Sequence, residues 1–207
     1  MRKIFLHGLG QTPDSWQETI SRLGLAGGSV CPDLPGLLHG QEADYARLYS
    51  AVSKICGSSG EKIELCGLSL GGILALNYAV DRPEKVSSLV LIAAQYKMPK
   101  GLLRFQNTVF RLMPQSMFRQ TGFGKPEFLR LCGSMSELDF SGSVRRVTCP
   151  ALVICGERDS ANRKAAGELA AALGNAELRI ISGAGHEVNV EAPEKLAEIL
   201  RGFYGKI

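Results

Sequence analysis

The segment Gly67–Gly72 places a serine in a setting that favours nucleophilic catalysis. It reads Gly-Leu-Ser-Leu-Gly-Gly, follows the apolar run Ile63–Cys66 and opens a helical pattern over Leu70–Val80. In a strand–turn–helix unit, glycines on both sides of a serine permit a tight turn that projects the hydroxyl above the end of the strand. We therefore predict a nucleophile elbow with Ser69 as the nucleophile. The alternative is that the glycines only allow the helix to pack closely on the strand.

A serine hydroxyl is a weak nucleophile at neutral pH and needs a general base. The chain has three histidines, and His186 follows Gly183–Gly185 directly after the last predicted strand. His186 is therefore expected at the same sheet edge as Ser69 and is the predicted base; an ordinary turn histidine is the alternative. His39 is expected to be a surface or loop-packing residue. The less favoured alternative is that His39 lines the site of Ser69. His7 is expected to hold its own loop in shape without taking a proton.

The base must in turn be oriented by a third group, which a carboxylate supplies. Asp159 follows the apolar run Ala151–Cys155 by a few residues, which gives the chain room to point a side chain across the sheet edge. Glu157 lies two residues earlier and is the second choice. The order along the chain is then Ser69, Asp159, His186.

Acyl transfer also needs donors for the negative charge that develops on the carbonyl oxygen. We predict an oxyanion hole formed by two backbone N–H groups. One belongs to Leu70, directly after the nucleophile, and the other to Leu9 in the glycine-containing loop His7–Gln11.

These residues require a scaffold of alternating strands and helices. Short apolar runs that lack a clear alternation are typical of strands buried on both faces of a parallel sheet. They occur at Lys3–His7, Ser29–Asp33, Ile63–Gly67, Ser88–Ala93, Ala151–Cys155 and Leu178–Ile181. Helical patterns lie between or after them, at Ser15–Leu23, Glu42–Cys56, Leu70–Val80, Ala161–Leu173 and Pro193–Tyr204. The sequence predicts one α/β domain over residues 1–207 with a doubly wound sheet of about six strands.

The segment from Lys97 to about Phe140 interrupts this alternation and is too long for an ordinary connection. We predict that residues 97–140 form a small helical lid rather than a second domain. Four of the five methionines lie in it, which suits either a flexible acyl-binding wall or the cores of small helices. It also carries seven basic residues against three acidic ones, which could attract an anionic or carrier-bound substrate but is more simply a solvated helix face.

Composition narrows the setting of the protein. The net charge of +4 gives no argument for nucleic-acid binding, and no apolar stretch approaches the length of a membrane span. The first apolar run is too short for the core of a secretory signal. Six scattered cysteines without a CxxC pair are read as buried thiols in a reducing compartment. We therefore expect a cytoplasmic protein with no membrane or nucleic-acid partner.

The chain resembles the α/β-hydrolase superfamily from end to end. The segments that carry the resemblance are HGLGQTPDSW (His7–Trp16), DLPG (Asp33–Gly36), GLSLGG (Gly67–Gly72), DRPEKVSSLVLIA (Asp81–Ala93), PALVICGERD (Pro150–Asp159) and GAGHEVNVEAPEKLAEIL (Gly183–Leu200). Within the superfamily it is similar to small bacterial serine hydrolases with a lid, such as carrier-protein methyl ester esterases.

Two departures from the family pattern bear on the fold. The family usually has two strands before the loop that here begins at His7, so we expect a sheet of six parallel strands without the antiparallel edge. The family's DLPGHG loop is replaced by Asp33–Gly40, which leaves the shape of the neighbouring pocket open.

The resemblance implies a serine hydrolase that cleaves a small carboxylic ester or thioester through an acyl-serine intermediate, without a metal or organic cofactor. A serine at position 69 excludes the carboxylate-nucleophile chemistry of haloalkane dehalogenases and epoxide hydrolases. Two alternatives remain: a triad-dependent C–C lyase resembling succinyl-hydroxycyclohexadiene carboxylate synthase, and a non-catalytic scaffold that senses a ligand.

Overall fold

A six-stranded sheet forms the centre of the protein. The computed structural model describes residues 1–25, 27–58, 60–98, 108, 110–118 and 122–206. The strands are β1 (Arg2–Leu6), β2 (Ser29–Val30), β3 (Ile63–Leu68), β4 (Val86–Ile92), β5 (Ala151–Gly156) and β6 (Ala176–Ile181). Their order is β2-β1-β3-β4-β5-β6, and every neighbouring pair is parallel. The predicted parallel sheet of about six strands is confirmed.

Helices cover both faces of this sheet. In the described residues they are α1 (Gln17–Arg22), α2 (Tyr45–Gly57), α3 (Leu70–Asp81), α4 (Lys125–Ser134), α5 (Ser160–Leu173), α6 (Val188–Glu191) and α7 (Pro193–Tyr204). Residues of α2, α3 and α5 pack with one face of the sheet, and residues of α7 with the other, where α1 lies against α7. Successive residues of the central strands alternate between these two cores, so each strand is apolar on both sides.

Most of the predicted bounds agree with these elements to within about two residues, and the exceptions have physical causes. Strand β2 ends at Val30 rather than Asp33; Pro32, two residues later, has no N–H to give to a ladder. Strand β6 lies at the edge of the sheet, so Leu178 and Ile180 are exposed rather than buried on both faces. The short helix α6 was not predicted.

Residues 97–140, called the inserted segment below, connect β4 to β5. A β-bridge joins Lys97 to Asp139, and the N–H of Met98 donates to the carbonyl of Leu138 at 3.0 Å. The two ends of the segment are therefore held together. Between them lie α4 and a 3-10 turn at Gln115–Phe118.

Three aromatic rings form a cluster inside the inserted segment. Phe110, Phe118 and Phe128 meet edge to face, with ring centroids 5.0–6.5 Å apart. The sequence places Leu102, Phe105, Val109, Leu112 and Met113 at helical spacing, and the first three of these lie outside the described residues. The assignment of residues 97–140 as a lid of a single domain stays a prediction.

Candidate active site

Ser69 occupies the turn between β3 and α3 in a strained backbone conformation. Its φ of 52° and ψ of −114° lie in a region that non-glycine residues rarely adopt. The Ser69 N–H donates to the carbonyl of Ile92 on β4 at 2.8 Å, which ties the turn to the neighbouring strand. This is the sharp strand-to-helix turn that the sequence predicts for a nucleophile elbow.

The glycines around Ser69 permit this turn by letting α3 approach the sheet. A Cβ added to Gly71 would overlap the carbonyl oxygen of Leu6 on β1, and one added to Gly67 would overlap the carbonyl of Gly71. A Cβ on Gly72 would lie 2.7 Å from the side chain of Ala94. The glycines therefore serve close packing and the turn at the same time, so the two interpretations of the motif do not exclude each other.

The structure brings Asp159 and His186 together. His186 Nδ1 lies 2.7 Å from Asp159 Oδ2, and the side chains are 43% and 5% exposed, respectively. Burial alone would raise the pKa of Asp159, but hydrogen bonds from His186 and Asn162 outweigh it and lower the pKa below its ordinary value. The carboxylate is therefore ionised at neutral pH.

Glu157, the second choice for this role, is directed elsewhere. Its Oε2 accepts from the Gly183 N–H at 2.9 Å and from the Ser182 hydroxyl at 3.0 Å. These hydrogen bonds lower its pKa and hold the turn that precedes His186. Glu157 thus stabilises the turn at Ser182 and Gly183, which precedes His186, whereas Asp159 contacts the imidazole ring of His186.

Two residues next to this pair were not predicted from the sequence. Asn162, at the start of α5, donates from Nδ2 to both oxygens of Asp159 at 2.9 Å, and the same nitrogen lies 3.2 Å from His186 Nδ1. Gln95, which follows β4, donates from Nε2 to Asn162 Oδ1 at 2.7 Å. Asn162 lies three residues after Asp159, one helical turn on, and that spacing was the only sequence signal for it.

A cavity of about 260 Å³ opens beside Ser69 and His186. Its wall is mostly apolar, with side chains from β-strand ends, α3 and the inserted segment. The lining residues are Leu9, Ser69, Leu70, Ile73, Ala93, Gln95, Met98, Phe110, Phe128, Cys132, Met135, Ala161, Asn162 and His186. A larger groove of about 470 Å³ runs between β6 and α7, but it contains none of the predicted site residues. We call the first of these the Ser69 cavity.

Leu9 and Leu70, the two predicted backbone donors, both line the Ser69 cavity. Leu70 is the first residue of α3, so its N–H has no acceptor within the helix and is available to a ligand. Leu9 stands between Gly8, whose N–H donates to Gln11 Oε1 at 3.1 Å, and Gly10, which has a φ of 90°. The loop after β1 is thus held in a compact turn next to Ser69.

His7 and His39 have no place in the Ser69 cavity. His7 is buried; its Nδ1 lies 2.9 Å from the carbonyl of Gly8, and its Nε2 accepts from the N–H of Leu34 at 3.1 Å. It therefore joins two loops, as expected, and burial lowers its pKa so that it stays neutral. His39 is exposed, with a φ of 47°, and does not line the Ser69 cavity.

The described basic residues of the inserted segment have partners or positions outside the lining of the Ser69 cavity. Lys97 pairs with Asp139 and Arg130 with Glu42, while Lys125 donates to the carbonyls of Arg111 and Met113. None of the described lysines or arginines lines the cavity. The cavity lining therefore consists mainly of apolar side chains and the amides of Gln95 and Asn162.

The cysteines agree with the interpretation as buried thiols. All six are free, and five are buried. Burial raises the pKa of Cys132, the one that lines the Ser69 cavity, to about 12, so it is protonated at neutral pH. Among the residues that the structure describes, no helix has the length and hydropathy needed to cross a membrane.

Comparison with known proteins decides the family. The model of the alpha/beta hydrolase family matches residues 4–199. The chain belongs to this family. The alpha/beta hydrolase is 26% identical to a pimeloyl-[acyl-carrier protein] methyl ester esterase of Vibrio vulnificus. The match covers 98% of this chain and 94% of that protein. It is 24% identical to a monoacylglycerol lipase of Xenopus laevis, over 99% of this chain and 75% of that one.

Solved alpha/beta hydrolases share the fold. An enol-lactonase from Burkholderia xenovorans superposes with a TM-score of 0.84 at 18% identity, covering 99% of this chain and 91% of that one. An esterase from Thermogutta terrifontis superposes with a TM-score of 0.80 at 21% identity, covering 100% and 90%. MenH from S. aureus gives 0.82 at 18% identity, covering 100% and 94%. These likenesses establish the fold, and the relatives above make the chain an alpha/beta hydrolase with esterase relatives.

Proposed function

We propose that this alpha/beta hydrolase cleaves a small carboxylic ester or thioester through an acyl-Ser69 intermediate. The observation that carries the proposal is that a strained Ser69 and an Asp159-bound His186 line the same cavity. Ser69 Oγ attacks the acyl carbon and its proton passes to His186 Nε2. His186 then gives the proton to the departing alcohol or thiol.

The second half of the cycle uses the same groups with water. His186 takes a proton from a water molecule, whose oxygen attacks the acyl-Ser69 carbonyl, and then returns the proton to Ser69 Oγ. The products are the free acid and the regenerated serine. Asp159 orients the imidazole and stabilises its protonated form, and the N–H groups of Leu9 and Leu70 bind the oxyanion in both steps.

The lining of the Ser69 cavity favours an acyl group that is apolar next to the reacting carbonyl. Met98, Phe128 and Met135 line it, and methionine adapts to irregular apolar partners. The described basic side chains of the inserted segment do not line the cavity, so they could meet a carrier that delivers the acyl group but not the acyl group itself. The relationship to a carrier-protein methyl ester esterase supports testing both free and carrier-bound esters.

The test is turnover of acetyl, butyryl, hexanoyl and octanoyl p-nitrophenyl esters, with a carrier-bound methyl ester alongside. We expect hydrolysis with an initial burst of p-nitrophenol, and a loss of kcat on the order of 10⁶-fold in Ser69→Ala. A Ser136→Ala variant, which changes a serine outside the cavity lining, is the matched control. Unchanged turnover in Ser69→Ala would overturn the proposal.

The alternatives that the sequence left open would give different results in the same assay. A C–C lyase would leave the esters intact and consume a carbon acid, and a sensing scaffold would bind without turnover. The absence of described basic residues from the cavity lining gives no support to an anionic lyase substrate. The cytoplasmic location stays a prediction from the sequence.

A further inference from the structure

Three side chains in a row connect the wall of the Ser69 cavity to the back of His186. Gln95 lines the cavity and donates from Nε2 to Asn162 Oδ1 at 2.7 Å. Asn162 Nδ2 lies 2.9 Å from each oxygen of Asp159, and Asp159 Oδ2 lies 2.7 Å from His186 Nδ1. Asn162 and Asp159 are 8% and 6% exposed, so water cannot easily substitute for these bonds.

The chemistry of the groups fixes the direction of each hydrogen bond. An ionised carboxylate only accepts, so the nitrogen of the Asn162 amide must face Asp159 and its oxygen must face Gln95. Gln95 in turn must present its NH₂ to that oxygen. A donor at position 95 therefore selects the Asn162 orientation in which the NH₂ reaches the carboxylate.

We propose that Asn162 is a positioning residue that fixes the Asp159 carboxylate against His186, and that Gln95 sets the orientation of the Asn162 amide. The proposal rests on the proposed function, because the carboxylate matters through His186. A single nitrogen that binds both oxygens limits rotation of the carboxylate about its Cβ–Cγ bond. Oδ2 is thereby kept in line with Nδ1.

Asp159 and Asn162 lie at the start of α5. Asp159 directly precedes the first residue of this helix, and both of its carboxylate oxygens accept from Asn162 Nδ2. His186 Nδ1 faces Asp159 Oδ2 at 2.7 Å, and the Sγ of Cys155 contacts the backbone carbonyl of Asp159 at 3.9 Å. The amide of Asn162, held by Gln95, is thus the main side-chain support of the carboxylate besides His186.

The experiment compares Asn162→Leu, Gln95→Leu and Gln95→Glu in the full chain. We expect Asn162→Leu to lower kcat by about 10- to 100-fold while KM changes little, because a small misplacement of the base slows the chemical step. The far-downfield proton NMR resonance of the His186 Nδ1 proton should broaden or disappear in this variant. Gln17→Leu and Asn175→Leu, which replace exposed amides, should leave kcat and the resonance as in the wild type.

The two Gln95 variants test whether the donor at position 95 sets the orientation of the Asn162 amide. Leucine only removes a donor, whereas an ionised glutamate at this position favours the flipped Asn162 amide, whose oxygen then faces Asp159. We expect Gln95→Glu to lose more kcat than Gln95→Leu at neutral pH. The ratio of wild-type to Gln95→Glu kcat, measured at the same pH, should fall as the pH is lowered. A protonated glutamate side chain at position 95 can again donate a hydrogen bond to Asn162 Oδ1. Equal losses in the two variants would overturn the orienting role of Gln95.

Wild-type kcat with an intact resonance in folded Asn162→Leu would overturn the positioning role. Circular dichroism establishes the folded state, and if Asn162→Leu does not fold, Asn162→Ser and the two Gln95 variants decide the question by the same readouts. Failure of the proposed function is distinguishable, because the wild type would then turn over no ester. The resonance would still report whether Asn162 holds Asp159 against His186.

Discussion

The side-chain amides of Gln11 and Asn189 bond to each other in both directions across 178 residues of sequence. Each of the two N–H···O distances is 3.1 Å, and both side chains are buried. Gln11 Oε1 also accepts from the Gly8 N–H, and Asn189 Nδ2 also donates to the carbonyl of Ser15. The pair joins the loop that carries Leu9 to the segment that follows His186.

This pair predicts strong energetic coupling between positions 11 and 189. Asn189→Leu or Gln11→Leu alone leaves a buried amide without its partner, which costs about 1–3 kcal/mol. We expect the double variant to lose less than the sum of the single losses, with a coupling energy of about 0.5–3 kcal/mol. Urea unfolding of the four proteins measures it. Strictly additive losses would show that the two amides do not support each other.

His7 predicts that part of the stability depends on pH. Burial lowers its pKa in the folded state, so the unfolded chain binds the proton more readily. Its contribution is complete above the ordinary pKa of about 6.5 and is lost as the pH falls toward the lowered value. We expect the difference in unfolding free energy between wild type and His7→Asn to become smaller as the pH falls below about 6.5.

Unfolding measured at several pH values between neutral and mildly acidic tests this prediction. His39→Asn, which changes an exposed histidine, is the matched control. A pH-independent difference between wild type and His7→Asn would mean that His7 accepts a proton in the folded state as easily as in the unfolded one.

The backbone of Ser69 predicts a trade-off between stability and activity. A φ of 52° costs a residue with a Cβ about 1–3 kcal/mol, and glycine avoids that cost. Both Ser69→Gly and Ser69→Ala remove the hydroxyl, but we expect Ser69→Gly to be more stable by about 1 kcal/mol. Thermal unfolding of the two variants is the measurement. A less stable glycine variant would mean that the turn is not strained.

The elements that position the site were predictable because their signals are local. Strand β3, the glycine turn and helix α3 are consecutive in the chain, so an apolar run, a turn and a helical pattern predict Ser69 at the end of a strand. His186 and Asp159 are likewise found from their places after β6 and β5. Parallel strands bring all three ends to one edge of the sheet.

The contacts made by side chains were less accessible from the sequence. Asp159 and Glu157 follow β5 at nearly the same distance, and only the structure directs one to His186 and the other to Gly183. Gln95 and Asn162 are 67 residues apart, so no local pattern pairs them. The pairing of Gln11 with Asn189 escaped for the same reason.

The excess of positive charge in the inserted segment shows the same limit. The sequence gives the number of lysines and arginines, whereas their role depends on which groups each charged side chain contacts in the fold. Arg130 forms an ion pair with Glu42, and Lys125 donates to two backbone carbonyls. Neither basic side chain lines the Ser69 cavity. Charge count alone therefore gave no information about the substrate.

The most direct test of the account is whether Ser69 is an activated nucleophile. Treatment of the purified protein with a fluorophosphonate probe, followed by peptide mass spectrometry, should locate the label on Ser69. We expect Ser69→Ala and His186→Ala to abolish labelling, and Glu157→Gln to retain it, because Glu157 supports a turn and does not contact the ring. A well-folded wild-type protein that takes up no label, or a label that persists in Ser69→Ala, would contradict the account.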